Sequence, residues 1–167
     1  LADRERGTTV TPTLMSAGTT SNTVPAAGEL TVDVRVRHAA EQVQVDAAMR
    51  ALCPVLRGAR LEVTGGPNRP PLEAKASARL FAHVTAHAAA LGLPPPSRAA
   101  VGGGSDGNLT AGVGTPTLDG LGAVGGGAHA EDEHVLVAEL PPRAALVAAL
   151  VAGLLESTLV PSAERRS

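Results

Sequence analysis

Residues 30–37 read Leu30-Thr31-Val32-Asp33-Val34-Arg35-Val36-Arg37, apolar and polar side chains in strict alternation. Successive side chains on an extended chain point to opposite faces, so this pattern predicts a strand with one half-buried apolar face and one charged face. Upstream, TTVTPTLMSA (8–17) is β-rich, but Pro12 removes a ladder donor and predicts an edge strand. The turn-rich GTTSNTVPAAG (18–28) joins the two. Downstream, residues 39–52 are helical by composition, with Val43/Ala47 and Val45/Met49/Leu52 at helical spacings, until Pro54 ends the pattern. Residues 60–64 predict a short strand. Strand, strand, helix, strand is what remains of a β-α-β-β-α-β unit once its first strand and helix are removed.

GGPNRPP (65–71) clusters the residues that break both helix and strand, and marks a domain boundary. Beyond it, residues 73–91 predict a helix with Leu80, Val84 and Leu91 on its apolar side, stopped by Gly92 and Pro94 to Pro96. A brief strand (98–101) runs into GGGSDGN (102–108). A short helical piece (109–113), a second short strand (116–119) and another glycine-rich loop (120–127) follow. After the polar turn HAEDEH (129–134), residues 135–137 are extended, and 143–156 form a closing helix, with Pro141 and Pro142 where a first turn tolerates proline.

The composition bounds the function. With 167 residues, 44% hydrophobic and 18% charged, the chain is globular rather than disordered. Its net charge of −2 and single aromatic, Phe81, exclude the basic footprint and the stacking platform of a nucleic-acid-binding domain. The apolar run 144–155 has the length of a buried helix, short of the ~20 residues that span a bilayer, so the expectation is a soluble protein without a membrane partner. Cys53, the one cysteine, excludes an internal disulfide and reads as a small buried residue. Residues 1–6 do not form a signal peptide, which makes the expected location cytoplasmic. Leu1 in place of Met suggests a chain that starts within a longer protein.

Several motifs carry chemistry. G-x-G-x-x-G occurs at 102–107 and at 120–125, but neither match has the full helix and the later acidic residue of a dinucleotide site. G-x-S-x-G at 103–107 is a nucleophile-elbow pattern, and Ser105, Asp119 and His129 stand in the order of an α/β-hydrolase triad. The alternative is a loop whose glycines let backbone amides approach an anion, with Ser105 as a hydroxyl donor. His83 and His87 share metal-ligand spacing but lack the glutamate of H-E-x-x-H, and read as solvated helix histidines. His129 stands between a flexible glycine loop and Glu131, Asp132 and Glu133, where an imidazole can bind Zn²⁺. Arg35 suits bidentate capture of a carboxylate, or forms a cross-strand pair with a residue such as Asp33.

Taken in order, GTTSNTVPAAGEL (18–30), TVDVRVR (31–37), GGGSDGN (102–108) and GTPTLDGLGAVGGGAHAEDEHV (114–135) resemble the C-terminal half of a known family. It is the dinuclear-zinc amidohydrolase and carboxypeptidase family of carboxypeptidase G (glutamate carboxypeptidase), succinyl-diaminopimelate desuccinylase, acetylornithine deacetylase and aminoacylase. GAVGGGAHAEDE is most similar to the glutamate-carboxypeptidase branch. The resemblance implies an α/β fold class. Residues 67–167 would be the C-terminal part of a zinc-exopeptidase α/β catalytic domain, and residues 1–66 part of a ferredoxin-like α+β lid, or dimerisation, domain. It implies hydrolysis of an amide or peptide bond beside a free carboxylate, in a small-molecule or dipeptide-like substrate. Two zinc ions, with cobalt or manganese as alternatives, would share a bridging water. By resemblance, Asn22 and Arg35 bind the substrate carboxylate, Gly103, Gly104 and Ser105 line the pocket, and His129 is the last metal ligand. The family's general base and remaining ligands match nothing in the 167 residues, so the expectation is a fragment inactive by itself. The lid implies a homodimer. Two rival readings are a serine hydrolase using Ser105, Asp119 and His129, and a non-catalytic dimerisation module.

Overall fold

A computed structural model describes residues 1–159, which fall into two compact units. The first comprises Leu1–Glu73 with Ala100–Gly114, and the second Ala74–Ala99 with the chain from Thr115 onward.

In the first unit, β1 (Thr9–Ala17) and β2 (Gly28–Arg35) form an antiparallel ribbon running from the Thr9–Arg35 pair to the Ala17–Gly28 pair. Pro12 pairs with Val32 and Leu14 with Thr31, so Thr13 is the extra residue of a bulge. Its hydroxyl donates to the Thr31 carbonyl at 3.3 Å, beside the position where proline has no N–H. The helix α1 (Ala39–Arg50) follows. Its buried stripe is Glu41 and Val45, not the predicted Val43 row, and Val43 is exposed. The Thr8 hydroxyl donates to Glu41 Oε2 at 3.0 Å with both residues buried, which satisfies a carboxylate that would otherwise be costly to bury. Arg50 Nε donates to Asp46, and Nη2 donates to the Gly65 carbonyl at 2.7 Å. The hydrogen bond with Asp46 pushes the Arg50 guanidinium above its ordinary range.

Three predictions fail in and around this unit. Residues 60–64 form no strand, because no neighbouring strand offers them a ladder and extended residues without one gain nothing from pairing. The ribbon's apolar face is not consistently buried: Leu30, Leu14 and Met15 are exposed, since a two-stranded ribbon has no second layer over most of its length. Cys53 is exposed rather than buried, in a stretch outside helix and strand.

The second unit is built on α2 (Ala74–Ala90) and α4 (Leu140–Leu159). Val84 and Ala88 on one, Leu146 and Leu150 on the other, are all spaced i, i+4 and make the core, fringed by Leu93, Leu118, Leu121 and Leu154. Each buried leucine contributes about 1.5–3 kcal/mol. Gly92 (φ 68°) ends α2, with the Leu93 amide donating back to the Ala88 carbonyl at 2.9 Å, a glycine C-terminal cap. The histidines of α2 are half-buried rather than solvated. The His87 ring lies so close to Gly153 of α4 that a Cβ there would stand 2.7 Å from Nε2. Phe81 is covered by the Arg98 guanidinium, 4.1 Å from the ring centroid.

Residues 98–101 and 116–119 form no strands, and the Thr117 amide instead donates to the Ala76 carbonyl at 3.2 Å. A short pair not predicted, β3 (Gly125–Gly126) with β4 (His134–Val135), closes the His129 turn, and a single 3-10 turn over Val137–Glu139 leads into α4. That helix begins earlier than predicted because both prolines fit its first turn, where an N–H is unpaired anyway. The helical stretch Val137–Glu156, the 3-10 turn included, is long and apolar enough to cross a membrane by length and composition alone, and only 11% of it is buried.

Candidate functional site

Arg35 ends β2 on the side away from the ribbon's turn. Its Nε donates to Asp33 Oδ2 at 2.7 Å and its Nη1 to the Gly102 carbonyl at 3.0 Å. The pair lies on one strand rather than across two. Its side chains are about half exposed, at 54% and 46%, so the ion pair itself is worth at most about 1 kcal/mol. Two of the five guanidinium N–H groups are engaged, which leaves donors free for a ligand.

The loop that Arg35 touches is 102–106, and it is most open at Gly103. A Cβ on Gly103 would meet nothing within 4 Å. Behind it, Asn108 acts as a brace: its Oδ1 accepts from the Ser105 amide at 2.9 Å, and its Nδ2 donates to the Pro70 carbonyl at 2.9 Å. Ser105 Oγ accepts from the Gly107 amide at 3.1 Å, and α3 (Gly107–Gly112) follows. Arg69 borders the same loop, with Nη1 4.0 Å from Asp106 Oδ1, and a Cβ added at Gly104 would stand 3.7 Å from its side chain. The sequence reading missed Arg69, Pro70 and Asn108. The signal was the arginine inside GGPNRPP, concealed by the reading of that run as a boundary.

Asn22 is exposed in the connection between the strands. It therefore lies beyond the Gly28 end of β2, whereas Arg35 lies at the other end, roughly 23 Å away at ~3.3 Å per residue. One ribbon does not bring the two to a single small carboxylate.

His129 belongs to the second unit. It is exposed and, among the described residues, the one non-glycine residue with positive φ (66°). Such a conformation disfavours an L-residue and persists where its surroundings impose it. Here they do. Gly127 (φ 68°) leaves no room for a Cβ, which would stand 2.8 Å from the Asp132 carbonyl oxygen, and its own carbonyl accepts from the Ala130 amide at 2.8 Å. The Leu136 amide donates to the Val124 carbonyl at 2.8 Å, and His134 Nδ1 bonds the Asp132 carbonyl at 2.9 Å. The hairpin thus holds His129 outward on a fixed backbone. Asp119 Oδ1 accepts from its neighbour Gly120 N–H at 2.7 Å, and no hydrogen bond joins it to His129, so the base-orienting bond of a triad is missing.

The family model described as peptidase family M20/M25/M40 matches residues 3–153. The chain belongs to this family. Membership makes it part of a group of hydrolases acting on peptide and amide bonds, whose members are generally metal-dependent. It also agrees with the mixed helix and strand architecture with small sheets. No curated protein matches the chain. Among the described residues, no group of three or more His, Cys, Asp or Glu side chains converges as a metal ion requires. His129 is a single imidazole, and the described residues do not make a metal centre by themselves.

Proposed function

We propose that this chain supplies carboxylate recognition to an M20-family hydrolase cleaving an amide or peptide bond beside a free carboxylate, in the manner of a glutamate carboxypeptidase or N-acyl amino acid amidohydrolase. The supporting observation is Arg35, anchored by Asp33 and the Gly102 carbonyl with donors to spare, at the rim of an open glycine loop. A planar guanidinium already held in place loses little entropy on gripping a carboxylate. Ser105 is a loop residue in this reading, its oxygen engaged by the Gly107 amide, and the serine-hydrolase alternative is not favoured. His129 would be one of several ligands for zinc, or for cobalt or manganese, and the 167 residues alone are inactive.

The reading includes a homodimer through the lid, which the open edges of the ribbon support. If Asn22 and Arg35 serve one carboxylate, their separation along β2 requires Asn22 of one copy and Arg35 of another, joined through open strand edges.

Calorimetry of the full chain with N-acetylglutamate tests the recognition. Arg35→Gln should weaken binding about tenfold, the value of one charged hydrogen bond of ~1.5 kcal/mol. Unchanged affinity removes Arg35 from the site. Metal-dependent hydrolysis of N-acetylglutamate well above blank by the chain alone would refute its inactivity.

A further inference from the structure

The glycine loop 120–127 leads into the His129 hairpin and carries few side chains to hold itself: Gly120, Gly122, Gly125, Gly126 and Gly127 lie within eight residues. Such a segment loses more conformational entropy on ordering than any other composition. Leu121 gives it one apolar anchor on the α2–α4 core. The other anchor is polar. Arg143, half-buried in the first turn of α4, donates from Nε to the Gly122 carbonyl at 3.2 Å and from Nη2 to the Gly120 carbonyl at 3.0 Å.

A cation in the first turn opposes the helix dipole, and within that turn α4 has no acidic residue, the nearest being Glu139 just before Leu140. A residue that breaks a local preference is retained for a contact it makes elsewhere. Here that contact is a fork gripping two carbonyls two residues apart, a geometry that guanidinium offers and ammonium does not. The hairpin starts three residues after Gly122, and the Val124 carbonyl accepts from the Leu136 amide just beyond its far strand.

We propose that Arg143 is a positioning residue that fixes the 120–124 backbone and thereby the placement of the His129 turn. The consequence for hydrolysis rests on His129 belonging to the reactive site, while the backbone claim stands apart from it. The test is amide hydrogen exchange and the His129 ring carbon shift by NMR, on the full chain with Arg143→Ala, Arg143→Gln and Arg143→Lys. Arg143→Ala should speed exchange at Leu136 and Ala130 at least tenfold and move the His129 ring signal, with core amides of α2 unchanged. Arg143→Lys should restore part of both effects, since it can satisfy one carbonyl. If Arg143→Ala fails to fold, the Gln and Lys variants decide by the same readouts. Unchanged hairpin exchange and ring signal would overturn the proposal, and so would an equal rise in hairpin and core exchange, which would make Arg143 a general stability residue. An altered hairpin in a chain that does not bind N-acetylglutamate would refute the functional reading alone.

Discussion

Replacing Gly127 by alanine should open the turn that carries His129, and Gly92→Ala separates the two causes. Both glycines sit at φ 68°. An L-residue there costs about 1–2 kcal/mol. A Cβ at Gly92 meets nothing within 4 Å, so Gly92→Ala bears that cost alone. At Gly127 the added Cβ stands 2.8 Å from both the carbonyl oxygen and Oδ1 of Asp132, and 2.9 Å from its carbonyl carbon, so the backbone itself must move. That movement breaks the Ala130–Gly127 bond (2.8 Å) and strains the Glu133–Ala130 bond (3.2 Å), each worth ~1 kcal/mol net. The local total is about 3 kcal/mol, or roughly a hundredfold at ~1.4 kcal/mol per decade. Amide exchange by NMR reads it directly. Ala130 and Glu133 should exchange on the order of a hundred times faster in Gly127→Ala, with α2 core amides unchanged. Gly92→Ala should speed the Leu93 amide by about five- to thirtyfold and leave Ala130 untouched. Ala130 exchange within twofold of the parent in Gly127→Ala would refute the reasoning.

Val84, 1% exposed between α2 and α4, should lose about 2 kcal/mol on truncation to alanine, two methyl groups plus the cavity they leave, read as a lower urea midpoint. A change below ~0.5 kcal/mol would mean that the core collapses around the gap. Arg50 tests a pH dependence by its sign. Its folded pKa is raised by Asp46, so the stability it adds is fully present below the ordinary arginine range and is lost only as pH rises through that range. The urea-midpoint difference between Arg50→Gln and the parent should therefore stay constant between roughly pH 6 and pH 9. A drift across that window would assign the effect to another group.

Where proline and glycine punctuate the chain, the sequence was a good guide to element ends: α1 stops at Arg50, shortly before Pro54, and α2 stops two residues before Gly92. Strands were less legible. A strand exists through its ladder, and residues 60–64 have β-forming side chains without a partner in the structure. The start of α4 was legible in part: Pro141 and Pro142 read as first-turn residues, and the helix indeed begins at Leu140, three residues before the expected Arg143. For the candidate site, the residue types at Arg35 and in the loop were visible as chemistry. The Asn108 brace and the Arg69 border were not, because both depend on the chain at 69–70 folding back beneath the loop. His129 is exposed with a positive φ in a turn where Gly127 leaves no room for a Cβ against Asp132, and a histidine in the sequence does not announce that conformation.

The Arg98 cap on Phe81 has an optical consequence. With no tryptophan or tyrosine, the chain is nearly dark to intrinsic fluorescence, and its one ring is held under a cation. A single tryptophan placed in the 102–106 loop or in the His129 turn would report that position alone, with no background to subtract. Carboxylate recognition and hairpin opening can thus be watched separately, in two singly labelled versions of the same chain.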